Sequence, residues 1–361
     1  MLPQSAGAAA VIAAGLFALS PALVCYGSEA RGYAPMLLAF TAAILLVDRW
    51  LAAPDQPPRT PSLAMALGLG FLAQATILFG LAALLGWAAI ERWRRAGALT
   101  ALREMARLFG PALLTIAAMA GLMWLAAYSS PYGFAVGGLE PHSWSGWRTA
   151  LAELLRYTLG LPLLPALIVP LALLLAPRSR LRDLALWSAF AFPLVLALLA
   201  LPNSMMPRYY LVASVAVLLW LAEWLAQVGS RGGLRRTAMA MTLPVLAAAM
   251  LWTDRLLIEN QRGDPGAVIT ILAALAPTGT TVMAEHHRES AVLDAAAAYR
   301  HYPLVAQIAP CPAAPFLLAD RHGAEQFAGA VHACGRTYVP VATHWAKGPS
   351  GLHWQLLRRR D

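Results

Sequence analysis

The sequence predicts a polytopic α-helical membrane protein with a small α/β domain at its carboxyl end, and three observations carry that expectation. The 361 residues are 59% hydrophobic and only 12% charged, with a mean hydropathy of +0.60; a water-exposed surface of this extent does not sustain such a balance. Arginines gather in short segments between long apolar runs. Beyond Thr253 the composition changes: charge, histidine, glycine and proline rise, and no apolar run approaches membrane length. The net charge of +9 is almost wholly arginine, and in a membrane chain such an excess sets orientation rather than binding nucleic acid.

The first 25 residues have no basic leading segment and merge into an apolar run, so they read as a retained span rather than a cleaved signal. Apolar runs of span length follow, giving 6–26, 34–53, 110–128, 160–177, 184–201, 208–227 and 237–253. Between them lie Arg49 with Arg59; Arg92, Arg94, Arg95, Arg103 and Arg107; Arg178, Arg180 and Arg182; and Arg231, Arg235 and Arg236. These groups mark the inside loops.

The block 63–90 lies between two such loops and must therefore cross an even number of times, as a hairpin turning near 73-AQAT-76. Each arm would span only about 21 Å, which requires tilting or local thinning of the bilayer. The alternative is one long tilted helix, which reverses the sidedness of everything upstream. With the hairpin the chain has about nine spans. Residues 27–33, 129–159, 202–208 and everything after 253 then fall on the outer face. The chain divides into a helical bundle, 1–253, and a soluble periplasmic α/β domain, 254–361.

Two segments beside the bundle invite further expectations. In 144-WSGWRTALAELLRYTL-159, Trp144, Trp147, Leu151, Leu154, Leu155 and Thr158 fall at helical spacing against Arg148, Glu153 and Arg156. That pattern reads as an amphipathic helix on the membrane surface. In the carboxy-terminal domain, helices are expected at 267–276, 288–302 and 324–334, and strands at 280–285, 304–308, 315–320 and 337–343. Seven of the eight histidines lie there, and 285-EHH-287 suggests metal binding, but its spacing matches no metal signature. Loop histidines facing solvent are the simpler reading. Cys25 lies in an apolar run, whereas Cys311 and Cys334 either form a disulfide or stay as two thiols, according to compartment. A disulfide would close about two dozen residues and contribute about 3 kcal/mol.

Two outer motifs carry the chemistry. The insert 28-SEARGY-33 places Glu29 and Arg31 at headgroup depth, where a guanidinium fork binds phosphate bidentately. A snorkelling arginine paired with its neighbour explains the same residues without a ligand. The second motif, 206-MPRYY-210, puts Arg208 and Tyr209 at the outer end of another span. Two arginine–tyrosine pairs, Arg31 with Tyr33 and Arg208 with Tyr209, then face one lipid-borne phosphate.

At these residues the sequence resembles bacterial membrane glycosyltransferases of the GT-C fold, the group that includes the family 39 protein mannosyltransferases and the aminoarabinose transferase of lipid A. The segment 26-YGSEARGYAPML-37 looks like that group's junction between third and fourth spans, and 207-PRYYLVASVAV-217 like a late span. The resemblance implies an inner-membrane enzyme of the bacterial envelope that moves a sugar from a polyprenyl-phosphate donor to a lipid, glycan or protein acceptor. Arg31, Tyr33, Arg208 and Tyr209 become donor-phosphate residues, and Glu29 a weaker catalytic candidate. No cofactor is fixed, and a divalent metal on the phosphate is left open. In the group two further spans and an acidic outer loop precede the matched junction; residues 1–20 hold no such carboxylate, and Glu140 is a poor substitute. The chain is thus expected to be a transferase, complete or truncated, or alternatively a non-catalytic membrane scaffold with a periplasmic binding domain. A transporter is disfavoured, since the spans lack mid-bilayer charges, Asp48 and Glu223 lie toward the cytoplasmic ends, and no internal repeat is evident.

Overall fold

The computed structural model describes residues 3–29, 32–53, 56–129, 141–202, 204–308, 314–321, 326–351 and 353–360. Arg31, Glu140 and Cys311 lie outside the described residues. The chain divides into two compact units, Met1–Asp254 and Arg255–Asp361.

The first unit is helical. Its elements are α1 (Pro3–Leu19), α2 (Pro21–Gly27), α3 (Tyr33–Ala52), α4 (Thr60–Ala73), α5 (Ile77–Ala96), α6 (Ala98–Tyr128), α7 (Trp144–Leu159), α8 (Leu163–Ala166), α9 (Ile168–Leu175), α10 (Arg180–Leu186), α11 (Phe192–Leu198), α12 (Leu211–Ser230) and α13 (Gly233–Asn260), whose residues from Arg255 onward belong to the second unit. A π turn, Trp187–Ala191, joins α10 to α11, and a 3₁₀ turn, Pro207–Tyr210, leads into α12. Among the described residues five helical stretches are long and apolar enough to cross a membrane, or seven if two bent pairs each count as one. The bends have causes in the sequence. Pro21 cannot continue the hydrogen-bond ladder of α1, and α1 and α2 meet at 60°. Gly160, in the left-handed region, and Pro162 end α7, and α7 meets the α8–α9 run at 82°.

The helix through 63–90 is broken where the sequence suggested, with Gln74 extended between α4 and α5. At 14 residues, α4 reaches only about 21 Å, short of a hydrocarbon core of about 30 Å. In the other direction, α12 is the central post: 72% of its apolar window is buried, against 22% for the window of α6. Its sequence explains this, because Ala213, Ser214, Ala216, Ala222 and Ala226 are small and let neighbours approach from all sides.

The amphipathic segment does form a helix, N-capped by the Ser143 side chain, which accepts from the Gly146 N–H. Its apolar stripe, however, does not lie free on a surface. Leu154 and Thr158 are buried, and Trp147, Leu151 and Leu155 pack against the bundle core. The reason is polar as well as apolar: Thr158 Oγ1 meets Ser214 Oγ at 2.6 Å, and the Thr158 carbonyl accepts from Ser20 Oγ at 3.0 Å. Only Trp144 keeps half of its surface exposed.

The second unit is a mixed six-stranded sheet covered on one face by helices. It comprises α14 (Pro265–Leu275), β1 (Thr280–Ala284), α15 (His287–Tyr299), β2 (Leu304–Ile308), β3 (Phe316–Arg321), β4 (Val331–Ala333), β5 (Arg336–His344) and β6 (His353–Arg360), in the order β2-β1-β3-β6-β5-β4. β1 runs parallel to β2 and β3, whereas β6 is antiparallel to both β3 and β5. Alternation sets the two faces. Phe316, Leu318, Trp354 and Leu356 pack with Val268, Ile269, Leu272 and Leu293 of the helices, while Leu317, Ala319 and Leu357 pack with Met283, Ala314 and Tyr338 on the other side.

One expectation fails here, and one strand was missed. Of the helix placed at 324–334, residues 324 and 325 lie outside the described residues, 326–330 form no helix, and Val331–Ala333 form the strand β4, paired with β5 across Cys334 and Gly335, which both have positive φ (56° and 68°). That is the backbone of a two-residue hairpin turn. The terminal strand β6 was not foreseen. Cys334 is disulfide-bonded.

Candidate functional site

The two motifs singled out in the sequence lie at one end of the bundle. Gly32 has φ 72° and ψ 12°, a left-handed conformation that turns the chain from the insert into α3. A Cβ there would lie 2.0 Å from the Ala73 carbonyl oxygen, so the junction is pressed against the end of α4. Thr76 Oγ1, in the α4–α5 turn, reaches Met36 Sδ at 3.3 Å. Tyr33 is buried and meets Tyr26 edge-on, with ring centroids 5.5 Å apart. Glu29 is half-buried beside them.

The second motif is held in place from behind. Tyr210 is buried and its hydroxyl donates to the Ser204 carbonyl at 2.6 Å, while Ser204 Oγ meets His142 Nδ1 at 2.7 Å. With Tyr210 turned inward, Arg208 and Tyr209 are left half-buried. The Arg208 guanidinium lies over the Tyr209 ring, 5.6 Å from its centroid. Tyr209 packs in turn on Phe79, at 5.2 Å, and Phe79 on Phe192, at 6.0 Å. The charges of both Glu29 and Arg208 reach the Tyr26 hydroxyl. Glu29, Tyr33, Arg208 and Tyr209 are therefore gathered at one end; Arg31 is outside the described residues.

The opposite ends of α3, α5 and α12 carry a polar site that sequence reasoning did not assemble. A cavity of about 580 Å³ is lined there by Asp48, Glu91, Arg94, Arg95, Arg178, Arg180, Asp183 and Glu223, among others. Arg180 grips Asp48 with two nitrogens, at 2.7 and 3.3 Å. Arg94 and Arg178 share Asp183, at 3.0 and 3.2 Å, Arg95 holds Glu91 at 3.1 Å, and Ser179 Oγ donates to Glu223 at 2.7 Å. The signal was in the sequence. Asp48, Glu91, Asp183 and Glu223 are carboxylates at or near helix ends on the arginine-rich side, and they need partners there.

The second unit holds another cluster. Glu285 follows β1, Asp320 lies near the end of β3, and one ligand atom from each of Glu285, His286 and Asp320 falls within 4.8 Å of the others. His286 Nδ1 lies 2.9 Å from Asp320 Oδ1 and 3.4 Å from Glu289 Oε2. The backbone N–H of His286 donates to the same Glu289 oxygen at 2.6 Å, closing a capping box on α15. Burial, together with the facing charge and hydrogen bonding of Asp320, pushes the Glu289 carboxyl up to about 7. Partial desolvation pulls the His286 imidazole down, but the hydrogen bond and charge of Asp320, with Glu289 and Glu285, outweigh it and hold its pKa above the ordinary value. The side chain of His287 is outside the described set. His286 was noticed in the sequence; its partners Glu289 and Asp320 were not, although the expected strand 315–320 ends at Asp320, and only the pairing of β1 with β3 brings it beside Glu285.

No protein-family model, curated protein or solved structure matches this chain.

Proposed function

We propose that the bundle is a membrane glycosyltransferase that takes a sugar from a polyprenyl-phosphate donor and passes it to an acceptor hydroxyl at the outer face of the bacterial inner membrane. One observation supports this reading above the rest: the insert and the 206–210 motif, far apart in the chain, share one end of the bundle, where the Arg208 guanidinium rests over the Tyr209 ring and Glu29 and Tyr33 lie around Tyr26. On this reading Arg208, with Arg31, Tyr33 and Tyr209, binds the donor phosphate as it departs. The acceptor oxygen attacks the anomeric carbon, the bond from that carbon to the phosphate oxygen breaks with its electron pair on the phosphate, and the hydroxyl proton passes to a carboxylate. Glu29 is the candidate for that last role among the residues near the motif.

Donor binding tests this more cleanly than turnover, because it does not require every catalytic group. The full chain in detergent, titrated with a short-chain polyprenyl-phosphate sugar, is expected to bind it, and Arg208→Ala and Arg31→Ala each to weaken binding by about 30-fold, corresponding to about 2 kcal/mol. Binding that both variants retain undiminished, or none by the wild type, would overturn the proposal and leave the scaffold reading.

A further inference from the structure

We propose that Glu285, His286 and Asp320, with the buried Glu289 carboxylate beside them, hold one divalent transition-metal ion, of the zinc or manganese type, at the carboxyl ends of β1 and β3. This does not rest on the transferase reading and concerns the second unit alone.

The placement is the first argument. β1 is the central strand of the parallel trio β2-β1-β3, and the chain leaves it to one side for β2 before crossing to β3 on the other. Such a reversal opens a crevice beyond the carboxyl ends of the strands, where ligands of open α/β sheets bind. Glu285 and Asp320 flank that point.

Donor geometry is the second. An ion bound at about 2.1 Å sets its ligands about 3.0 Å apart at right angles and about 3.4 Å apart at the tetrahedral angle. His286 Nδ1 is hydrogen-bonded to Asp320 Oδ1 at 2.9 Å, and Glu289 Oε2, which also accepts from the His286 N–H, lies 3.4 Å from the same nitrogen, so an ion taking the place of the shared proton meets donors already at ligand spacing. One imidazole nitrogen among carboxylate oxygens suits zinc or manganese better than calcium or magnesium, which prefer all-oxygen sites.

A third observation points to a ligand independently of the cluster itself. The Glu289 side chain is 1% exposed; its Oε2 accepts from the His286 N–H, its carboxylate is pressed against that of Asp320, and no N–H or alcohol O–H among the described residues reaches its Oε1. A buried carboxylate oxygen facing a second carboxylate calls for a shared proton or a cation. Glu285 is already oriented for the task, since Arg321 Nη1 and the Asp320 N–H both donate to its Oε2, at 2.8 and 3.3 Å. Hydrogen bonds of this kind aim ligating carboxylates in metal sites. His286, 65% exposed at its side chain, gives the ion a route in from solvent.

The full chain, purified without a polyhistidine tag and stripped with chelator, is titrated with Zn²⁺ and, in parallel, with Co²⁺, whose visible absorption reports a nitrogen and oxygen donor set. The wild type is expected to take up one equivalent and to show cobalt bands. His286→Ala and Glu285→Gln, both at side chains with solvent access, should keep the wild-type circular dichroism, weaken zinc binding by at least about 10-fold and lose the cobalt bands. If the wild type retains no ion, or both variants bind as tightly as it does, the cluster is a proton-sharing carboxyl pair and the proposal fails.

Discussion

Replacing Gly32 with alanine tests how the insert is held against the bundle. The perturbation has two parts. At φ 72° and ψ 12° an L side chain costs about 1–2 kcal/mol from local sterics alone. The new Cβ would also lie 2.0 Å from the Ala73 carbonyl oxygen and 2.8 Å from its carbon. That is backbone, which no rotamer change relieves, so separating the junction from α4 adds about 1–3 kcal/mol. The sum, about 2–5 kcal/mol, lowers the apparent melting temperature by roughly 5–15 °C for a unit of this size. Gly232 supplies the control: it has the same φ of 72° and nothing within 4 Å of its would-be Cβ. Gly232→Ala should therefore show only the conformational part, a fall of about 2–6 °C. Both variants are melted in the same detergent at one scan rate, followed by tryptophan fluorescence. Equal shifts would refute the claim that the insert presses on the end of α4.

Two further perturbations probe the bundle. Thr158→Val removes the hydroxyl that meets Ser214 at 2.6 Å and strands a buried Ser214 oxygen, so a loss of about 1–3 kcal/mol is expected; Thr158→Val with Ser214→Ala should recover part of it, and a double variant no better than the single would sink the pairing. At the arginine-rich end, Arg180→Lys keeps the charge but loses the fork on Asp48. A double-mutant cycle with Asp48→Asn should give a coupling of about 1 kcal/mol, modest because the pair is 36% and 27% exposed; zero coupling in low salt would show that the bidentate contact contributes nothing.

Much of the carboxy-terminal unit was legible because its elements announce themselves locally. Asp264 caps α14 with its own side chain, accepting from the Ala267 N–H, and Pro265 suits a first helical turn. β2 is a short apolar run bounded by Pro303. The misread segment shows the limit of such signals: 324–334 has helix-forming alanines, yet the hairpin at Cys334 and Gly335 and the pairing of Val331 with Tyr338 give its last residues to the sheet. Likewise 144–159 has the periodicity of an amphipathic helix, and only the contacts with Ser20, just before α2, and with Ser214 of α12 reveal that Thr158 on its stripe is buried in the bundle. Periodicity reports that a face is apolar, not what covers it.

For the candidate sites the division is sharper. Arg208 with Tyr209 could be paired from the sequence because neighbours in the chain are neighbours in space, and both motifs could be assigned to one side because arginine placement sorts loops by side. Phe79 against Tyr209, and Glu289 against Asp320, could not.

The sequence by itself determined that the chain forms apolar helices and a separate α/β unit, which residues stand at helix ends, and where the 63–90 helix breaks, since hydropathy, charge and helix-breaking residues act over a few turns. Only the tertiary structure decided which ends share a site, that α12 is the central post, and that His286 closes a cluster with two buried carboxylates. The physical reason is that packing and charge pairing depend on distance in space, and a linear string of residues does not specify distances between segments far apart along it.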